Sequence, residues 1–530
     1  MDTPLIRPIR RLLIANRGEI ALRIMRTCRE MGITSIAIFS EADRLSPHAL
    51  YADEAYCVGP PPSRDSYLRG DYIIELAVKH KADAIHPGYG FLSERSEFAR
   101  SVEEAGLILV GPSARSMELM GNKLSAKHTV ANFQIPMVPG SPGAITDPKL
   151  ALVVAQEIGY PVLLKAAAGG GGKGMRIVES SAEFSEQLQR AQSEALSAFG
   201  DGAVFIEKYV AAPRHIEIQL IGDQYGNIVY LFERECSIQR RHQKLVEEAP
   251  SSCLNPEVRR AMGEAAVRVA QACGYHNAGT VEFLVDEQLN FYFLEMNTRL
   301  QVEHPVTELI TGLDLVRLQI RVAEGHPLPI QQEQIQIHGH AIELRVCAED
   351  PQQQFLPDTG ILERYRRPQG PGVRIDDGFR EGMEISVHYD SMLSKLVVHA
   401  GQRDEAIQRM IRAIQEYEIQ GVATTLPFGL FVMQHPAFQA GQFDTSFIAK
   451  YYNESDLYNQ PSDEQLFSAA LTAALQHEQA SGVQGAMKAS SLPTSPPTSS
   501  PTSPPESRHP VESDWNNKPG FAPWRINRGF

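Results

Sequence analysis

The chain is predicted to be an α/β protein of several domains followed by a tail that forms no core, and three observations predict this. Apolar residues at strand and helix periods alternate from the amino terminus. Strand–turn–strand patterns rich in Gly follow in the middle of the chain. Residues 490–510 are mostly Pro, Ser and Thr, which bury too little apolar surface to order themselves. At 530 residues the chain is long enough for roughly three or four domains.

Taken in order, residues 10–16 read as a strand. From Gly18 to Met31, Ile20, Ile24, Cys28 and Met31 recur at helical spacing until Gly32 stops the helix, and residues 34–39 form the next strand. The unit is Rossmann-like, yet its first turn lacks Gly-x-Gly-x-x-Gly, which excludes a dinucleotide site there. Tyr160-Pro-Val-Leu-Leu-Lys165 is a strand, followed by Gly169 to Gly172, Lys173, Gly174 and a second strand ending at Val178. A glycine turn between strands brings backbone N–H groups against a polyphosphate with no Cβ in the way, and Lys165 and Lys173 supply positive charge. No Gly-Lys-Ser/Thr follows and both flanks are strands, so the strand-to-helix P-loop does not apply. Residues 203–210 give another strand.

Residues 279–285 and 291–297 are strand-like on either side of a polar turn, Asp286 to Asn290. Glu295 and Asn297 are two apart, so they share a strand face and suit one hard divalent cation, with Arg299 and Gln301 continuing that face. If the turn centres between 288 and 289, Glu282 falls opposite Glu295 and completes the metal set; a one-residue slip would turn it away. A hairpin with a merely solvated polar edge is the plainer alternative.

Composition excludes several classes. Lys and Arg number 50 against 64 acidic residues, and a net charge of −14 argues against a nucleic-acid surface. The six cysteines are scattered without Cys-x-x-Cys, so neither structural zinc nor a disulfide framework is expected, and a cytoplasmic location fits. The first residues carry charges but no long apolar core, and no run of about 18 apolar residues occurs, so neither secretion nor a membrane span is expected.

The motifs Ile14-Ala-Asn-Arg-Gly-Glu-Ile-Ala21, His86-Pro-Gly-Tyr-Gly-Phe-Leu-Ser-Glu94, the glycine loop, Gln239-Arg-Arg-His-Gln-Lys244, Glu295-Met-Asn-Thr-Arg299 with Gln301-Val-Glu-His-Pro305, and Ala341-Ile-Glu-Leu-Arg345 occur in one order. Together they resemble biotin carboxylase of the ATP-grasp superfamily over roughly residues 8–450. The resemblance implies a Rossmann-like pre-ATP-grasp domain over 1–120, a linker over 121–137, an ATP-grasp lid over 138–209 and a catalytic core over 210–335. A biotin carboxylase C-terminal domain over 336–455 completes it; beyond the resemblance, pattern and composition give a helical extension over 456–484 and a disordered tail over 485–530.

It also implies roles. Lys123, Lys165, Gly171 and Gly172 would hold the phosphates of ATP; Glu207 and the backbone of Lys208, Tyr209 and Val210 the adenine; His215, Gln239 and His242 the surroundings of the nucleotide. Glu282, Glu295 and Asn297 would carry Mg2+ or Mn2+. Arg299, Lys244, Gln301 and the N–H of Val302 would hold bicarbonate, Glu303 would take its proton, and Arg345 would stabilise the enolate-like oxygen of biotin. Where the family has an asparagine two places after this arginine, the chain has Cys347. The implied partners are a biotin carboxyl carrier protein and a carboxyltransferase subunit, with a homodimer as the assembly. Ala486-Met-Lys-Ala489 echoes a biotin-attachment site but runs straight into the Pro/Ser linker, so biotin is expected on a separate chain. Another ATP-grasp carboxylate–amine ligase and a nucleotide-binding scaffold are the alternatives; the complete set Lys244, Arg299 and Glu303 argues against the scaffold.

Overall fold

Five short strands open the fold as a parallel sheet: β1 (Arg11–Ile14), β2 (Thr34–Ser40), β3 (Glu54–Gly59), β4 (Ala84–His86) and β5 (Ile108–Leu109), in the order β3-β2-β1-β4-β5. Between β1 and β2 runs the helix Gly18–Met31, which buries Ile20, Ile24, Met25 and Cys28 and ends at Gly32 in the left-handed conformation (φ 70°). The computed structural model describes residues 6–457 apart from 122, 132, 168–174 and 242, together with 467–468, 470–472 and 474, which are helical. Gly171, Gly172, His242, Lys488 and the segment 485–530 lie outside the described residues. Of Lys123 only its place in the helix Lys123–Ala131 is described. The chain divides into two units, Met1–Tyr458 and Asn459–Phe530.

In the first unit, β6 (Val162–Ala166), β7 (Arg176–Val178) and β8 (Val204–Lys208) form an antiparallel sheet in the order β7-β6-β8. Ala151 and Ala155 of the helix Pro148–Ile158 and Phe184, Leu188 and Ala191 of the helix Ser181–Phe199 share a core with Val162, Leu164 and Val204 of that sheet.

The largest sheet has eight antiparallel strands. They are β9 (Arg214–Gly222), β10 (Ile228–Arg240), β11 (Gln243–Ala249), β12 (Asn277–Val285), β13 (Phe291–Asn297), β14 (His340–Cys347), β18 (Val373–Asp377) and β19 (Met392–Ala400), ordered β13-β12-β9-β10-β11-β14-β19-β18. Two small ladders, β15 (Glu349–Asp350) with β16 (Leu356–Pro357) and β17 (Arg364–Arg366) with β20 (Glu418–Gln420), lie outside it. The sheet runs without interruption across residues 335 and 336, because β11 pairs with β14.

Alternation along these strands sorts the side chains into two faces. Ile216, Ile218, Val281, Phe283 and Phe293 pack with Met262, Ala266 and Val269 of the helix Pro256–Ala272. Ile342, Leu344, Leu396 and Val398 pack with Ile407, Met410 and Phe428 from the helices Arg403–Glu416 and Leu426–Gln434. Each of these side chains larger than alanine contributes roughly 2 kcal/mol relative to exposure. The opposite face is a buried layer of charge: Glu217, Arg234, Lys244, Glu282, Glu247, Glu343 and Lys395.

An ionic knot fastens the segment around Tyr389 to the amino-terminal sheet. Arg17 donates twice to Asp43 (2.6 and 2.7 Å) and lies 4.1 Å from the ring centroid of Tyr389, while Tyr67 donates to Asp43 at 2.6 Å. Burial alone would push the Asp43 pKa up; the Arg17 hydrogen bond and charge outweigh it and hold it at about 2 instead of 3.8. A lowered carboxyl pKa adds stability above its unfolded value that disappears as pH falls through the folded one. Asp43→Asn is expected to lose on the order of 2 kcal/mol at neutral pH. Urea unfolding at a series of pH values should show the gap to the parent protein closing as pH falls from 3.8 through about 2.

Candidate functional site

The hairpin of β12 and β13 brings Glu282 opposite Glu295 and Thr280 opposite Asn297. Its turn is held by Asp286, whose Oδ1 accepts from the N–H groups of Gln288 and Asn290 (3.0 and 2.9 Å). The register differs from the sequence expectation in one respect. Val285 faces Phe291, so the turn centres on 288, and continued regularly that ladder would set Glu282 against Leu294. An irregularity between the Glu282 and Phe283 pairs absorbs one residue and restores Glu282 to Glu295. Leu294 and Glu295 consequently both line the same cavity.

That cavity has a volume of about 1260 Å3. Val138, Leu163, Met175, Leu284 and Leu294 give it an apolar stretch, and the sequence-predicted Lys165, Glu207, Lys208, Tyr209, Val210, His215 and Gln239 line it too. Lys165 pairs with Glu207. The Lys208 ammonium is turned onto the carbonyls of Gly159 and Tyr160, both at 2.9 Å. The polar stretch holds Lys244, Glu282, Glu295, Asn297, Arg299, Gln301, Val302 and Arg345. Glu303 is absent from the wall. It is fully buried at the start of the helix His304–Thr311, behind Lys244 and Arg345.

Lys244 is the hub of the polar stretch. Its ammonium donates to Glu217 (2.5 Å), Glu282 (3.0 Å) and Glu303 (2.7 Å). Burial opposes charge on this lysine, but the carboxylates of Glu217, Glu282 and Glu303 together hold its pKa well above the usual range. Burial likewise opposes charge on Glu303, and Lys244, Arg345 and Arg234 together hold that carboxyl well below its usual range. Arg345 spans Glu247 (2.6 Å) and Glu303 (3.0 Å). Cys347 takes its place in β14 through its backbone: its N–H donates to Thr425 Oγ1 (3.0 Å), whose hydroxyl donates to the Arg345 carbonyl (2.8 Å).

Arg299 donates to Glu94 (3.0 Å) and to Gln301 Oε1 (2.7 Å). The Gln301 Nε2 amide is buried with no hydrogen-bond partner among the described residues. A buried donor beside a guanidinium fits a small planar anion.

Two acidic groups bear on a cation. His215, Glu217 and Glu282 place ligand atoms within 4.8 Å of one another, but Lys244 already lies against both glutamates, so this group is neutralised from within. The other is Glu217, Cys236 and Glu303, likewise met by Lys244. The sequence-predicted Glu282, Glu295 and Asn297 share the cavity wall and carry side-chain oxygens of the kind a hard divalent ion takes. Asn297 Nδ2 donates to Glu282 Oε1 at 2.8 Å, so its amide must turn over to offer oxygen.

Sequence reasoning missed Glu217, Arg234, Glu247 and Lys395. Their signal is period-two polarity in strands buried on both faces: His215, Glu217 and Gln219 alternate with Ile216, Ile218 and Leu220 along β9.

The sequence models of three families match in succession: the biotin carboxylase N-terminal domain at residues 8–117, the carbamoyl-phosphate synthase L chain ATP-binding domain at 122–331, and the biotin carboxylase C-terminal domain at 343–450. A pyruvate carboxylase subunit of Methanothermobacter thermautotrophicus is 52% identical over 441 residues, 83% of this chain and 90% of that protein. Biotin carboxylase 1 of Bacillus subtilis is 50% identical over 444 residues, covering 84% and 99%. Among solved structures, the biotin carboxylase domain dimer of the Hydrogenobacter thermophilus 2-oxoglutarate carboxylase, in complex with MgADP, ADP and bicarbonate, superposes with a TM-score of 0.79 at 48% identity, covering 84% of this chain and 98% of that one.

Replacing the hub tests the charge layer directly. Lys244→Met leaves three buried carboxylates facing one another and is expected to destabilise the fold by about 3 kcal/mol or more, the scale of a broken buried ion pair. Thermal unfolding followed by circular dichroism should show a midpoint several degrees lower; an unchanged midpoint would mean that the lysine carries no such load.

Proposed function

The chain belongs to the biotin carboxylase family, and from that premise we propose that it joins bicarbonate to biotin with cleavage of ATP, the bicarbonate lying beside Arg299 and Gln301. The observation that carries this reading is the buried Gln301 Nε2, which has no hydrogen-bond partner among the described residues, next to the Arg299 guanidinium and in one cavity with the apolar stretch behind Lys165 and Glu207. An apolar slot with backbone at residues 208–210 suits a purine, and Lys165 suits its phosphates.

Bicarbonate held by Arg299 and Gln301 attacks the terminal phosphorus of ATP through oxygen, and ADP leaves; the work of the protein is positioning and charge compensation. Glu303 accepts the bicarbonate proton. With Lys244 and Arg345 both on its oxygens it is a weak base, and an anion that draws either cation away raises its basicity. The carboxyphosphate formed breaks down to carbon dioxide and phosphate, the phosphate takes the N1 proton of biotin, and N1 attacks the carbon dioxide. Arg345, at the cavity wall, faces the negative charge that develops on the ureido oxygen. A divalent cation held by Glu282, Glu295 and Asn297 would supply charge neutralisation at the phosphates.

The chemistry serves the first half-reaction of a biotin-dependent carboxylase. We place biotin on a carboxyl carrier protein and the second half-reaction on a carboxyltransferase subunit, with this chain as a homodimer. A cytoplasmic location is supported by six cysteines that are all free thiols. No helix among the described residues is long and apolar enough to cross a membrane.

ADP release that requires bicarbonate and rises with free biotin is the expected activity; release indifferent to both would sink the reading. Arg299→Ala and Glu303→Gln should each cut that turnover by about two orders of magnitude while ATP affinity stays nearly intact. A matching loss of nucleotide binding, read by calorimetry, would instead place both residues in the ATP site.

A further inference from the structure

Lys395 is a fully buried lysine in β19, opposite Arg345 on one side and Asp376 on the other. Its ammonium donates to the carbonyl of Val302 at 2.9 Å. That carbonyl belongs to the peptide joining Val302 to Glu303, so the bond fixes the plane from which Glu303 departs. The preceding peptide is fixed from the other side, where the Gln301 carbonyl meets the N–H and ring Nδ1 of His304 at 3.3 and 2.8 Å. Gln301, with its amide, and Glu303, with its carboxylate, flank these two held peptides.

A buried ammonium needs a counter-charge close by. Asp376 lies 3.9 Å away and is engaged by Arg374 at 2.6 Å. The nearer carboxylate is Glu19, at 3.2 Å, on the helix Gly18–Met31 of the amino-terminal sheet domain. Glu19 is itself buried and neither of its oxygens has a hydrogen-bond partner among the described residues, so the contact with Lys395 is an ion pair; burial raises the carboxyl to about 7 against the pull of Lys395. Gly378 fits this junction closely, since a Cβ there would stand 2.8 Å from the Glu19 backbone nitrogen and 2.9 Å from Gly18 Cα.

We propose that Lys395 and Glu19 form a positioning pair that sets residues 301–303 for bicarbonate, so that the amino-terminal helix and the bicarbonate segment are held as one unit. Lys395 touches no substrate in this reading; it acts through the Val302 carbonyl. The pair rests on bicarbonate being bound at Arg299 and Gln301, and the test separates the two ideas.

ADP release with free biotin is measured against bicarbonate and against ATP for the parent protein, Lys395→Met, Glu19→Gln and the double variant, with ADP affinity by calorimetry as the check on folding. Absence of bicarbonate dependence in the parent protein would overturn the function itself. Given that dependence, Lys395→Met should raise KM for bicarbonate about tenfold or more with KM for ATP within about twofold, the pattern of a misplaced binding segment. Glu19→Gln keeps the Lys395 bond to Val302 and should raise it about threefold, with the double variant no worse than Lys395→Met alone, as for two members of one unit. Equal rises in both KM values, or an unchanged KM for bicarbonate with ADP affinity intact, overturns the pair. Should Lys395→Met fail to fold, Glu19→Gln decides: an unchanged KM for bicarbonate overturns the proposal.

Discussion

One buried ammonium, that of Lys244, is the constraint on which the site depends. Glu217 comes from β9, Glu282 from β12 and Glu303 from the start of the helix His304–Thr311, and the three reach the same nitrogen at 2.5, 3.0 and 2.7 Å. Two unit charges about 4 Å apart interact by about 4 kcal/mol at an effective dielectric constant of 20. Without that lysine the three carboxylates would repel one another, offset only in part by Arg234 on Glu217, His215 on Glu282 and Arg345 on Glu303. The hub therefore makes Glu282, Glu217 and Glu303 one electrical unit, in which any anion that recruits Lys244 alters all three.

Arg345 extends the unit along the sheet. It joins Glu303 to Glu247, and Glu343 stands directly opposite Glu247 on the neighbouring strand. Burial raises Glu247 to about 7 against the pull of Arg345. Burial also raises Glu343 well above the usual carboxylate range, and neither of its oxygens has a hydrogen-bond partner among the described residues. Burial thus biases Glu343 toward its neutral form, whereas Lys244 and Arg345 bias Glu303 toward its carboxylate. Acids of one type on one sheet face are graded by the cations each touches, as expected when low dielectric amplifies every nearby charge.

Much of this was legible in the sequence, and the parts that were not share a cause. The spacing of Glu295 and Asn297, the polar turn at Asp286 and the helix stop at Gly32 are local signals, and they stand where local geometry puts them. The pairing of Glu282 with Glu295 was reached with the wrong turn centre, because an irregularity in a ladder has no residue signature here beyond an extra apolar Leu294. Glu217, Arg234 and Lys395 were missed because a charge in an otherwise apolar strand gains meaning only from a partner far along the chain. Arg234 finds Glu217 17 residues away, while Lys395 finds Val302 93 residues away.

The continuity of the eight-stranded sheet across residues 335 and 336 follows from the same chemistry. Glu303 needs Lys244 from β11 on one oxygen and Arg345 from β14 on the other, and β11 and β14 are hydrogen-bonded neighbours. Division of the chain between these strands would separate the two cations that govern the base. Their hold on Glu303 also explains its recess behind the cavity wall. A carboxylate with both oxygens engaged is a poor base, and it becomes a better one as negative charge arriving in the cavity competes for Lys244 and Arg345. In the proposed reaction the base is thus strengthened by the anions it serves, which ties proton removal to the presence of substrate.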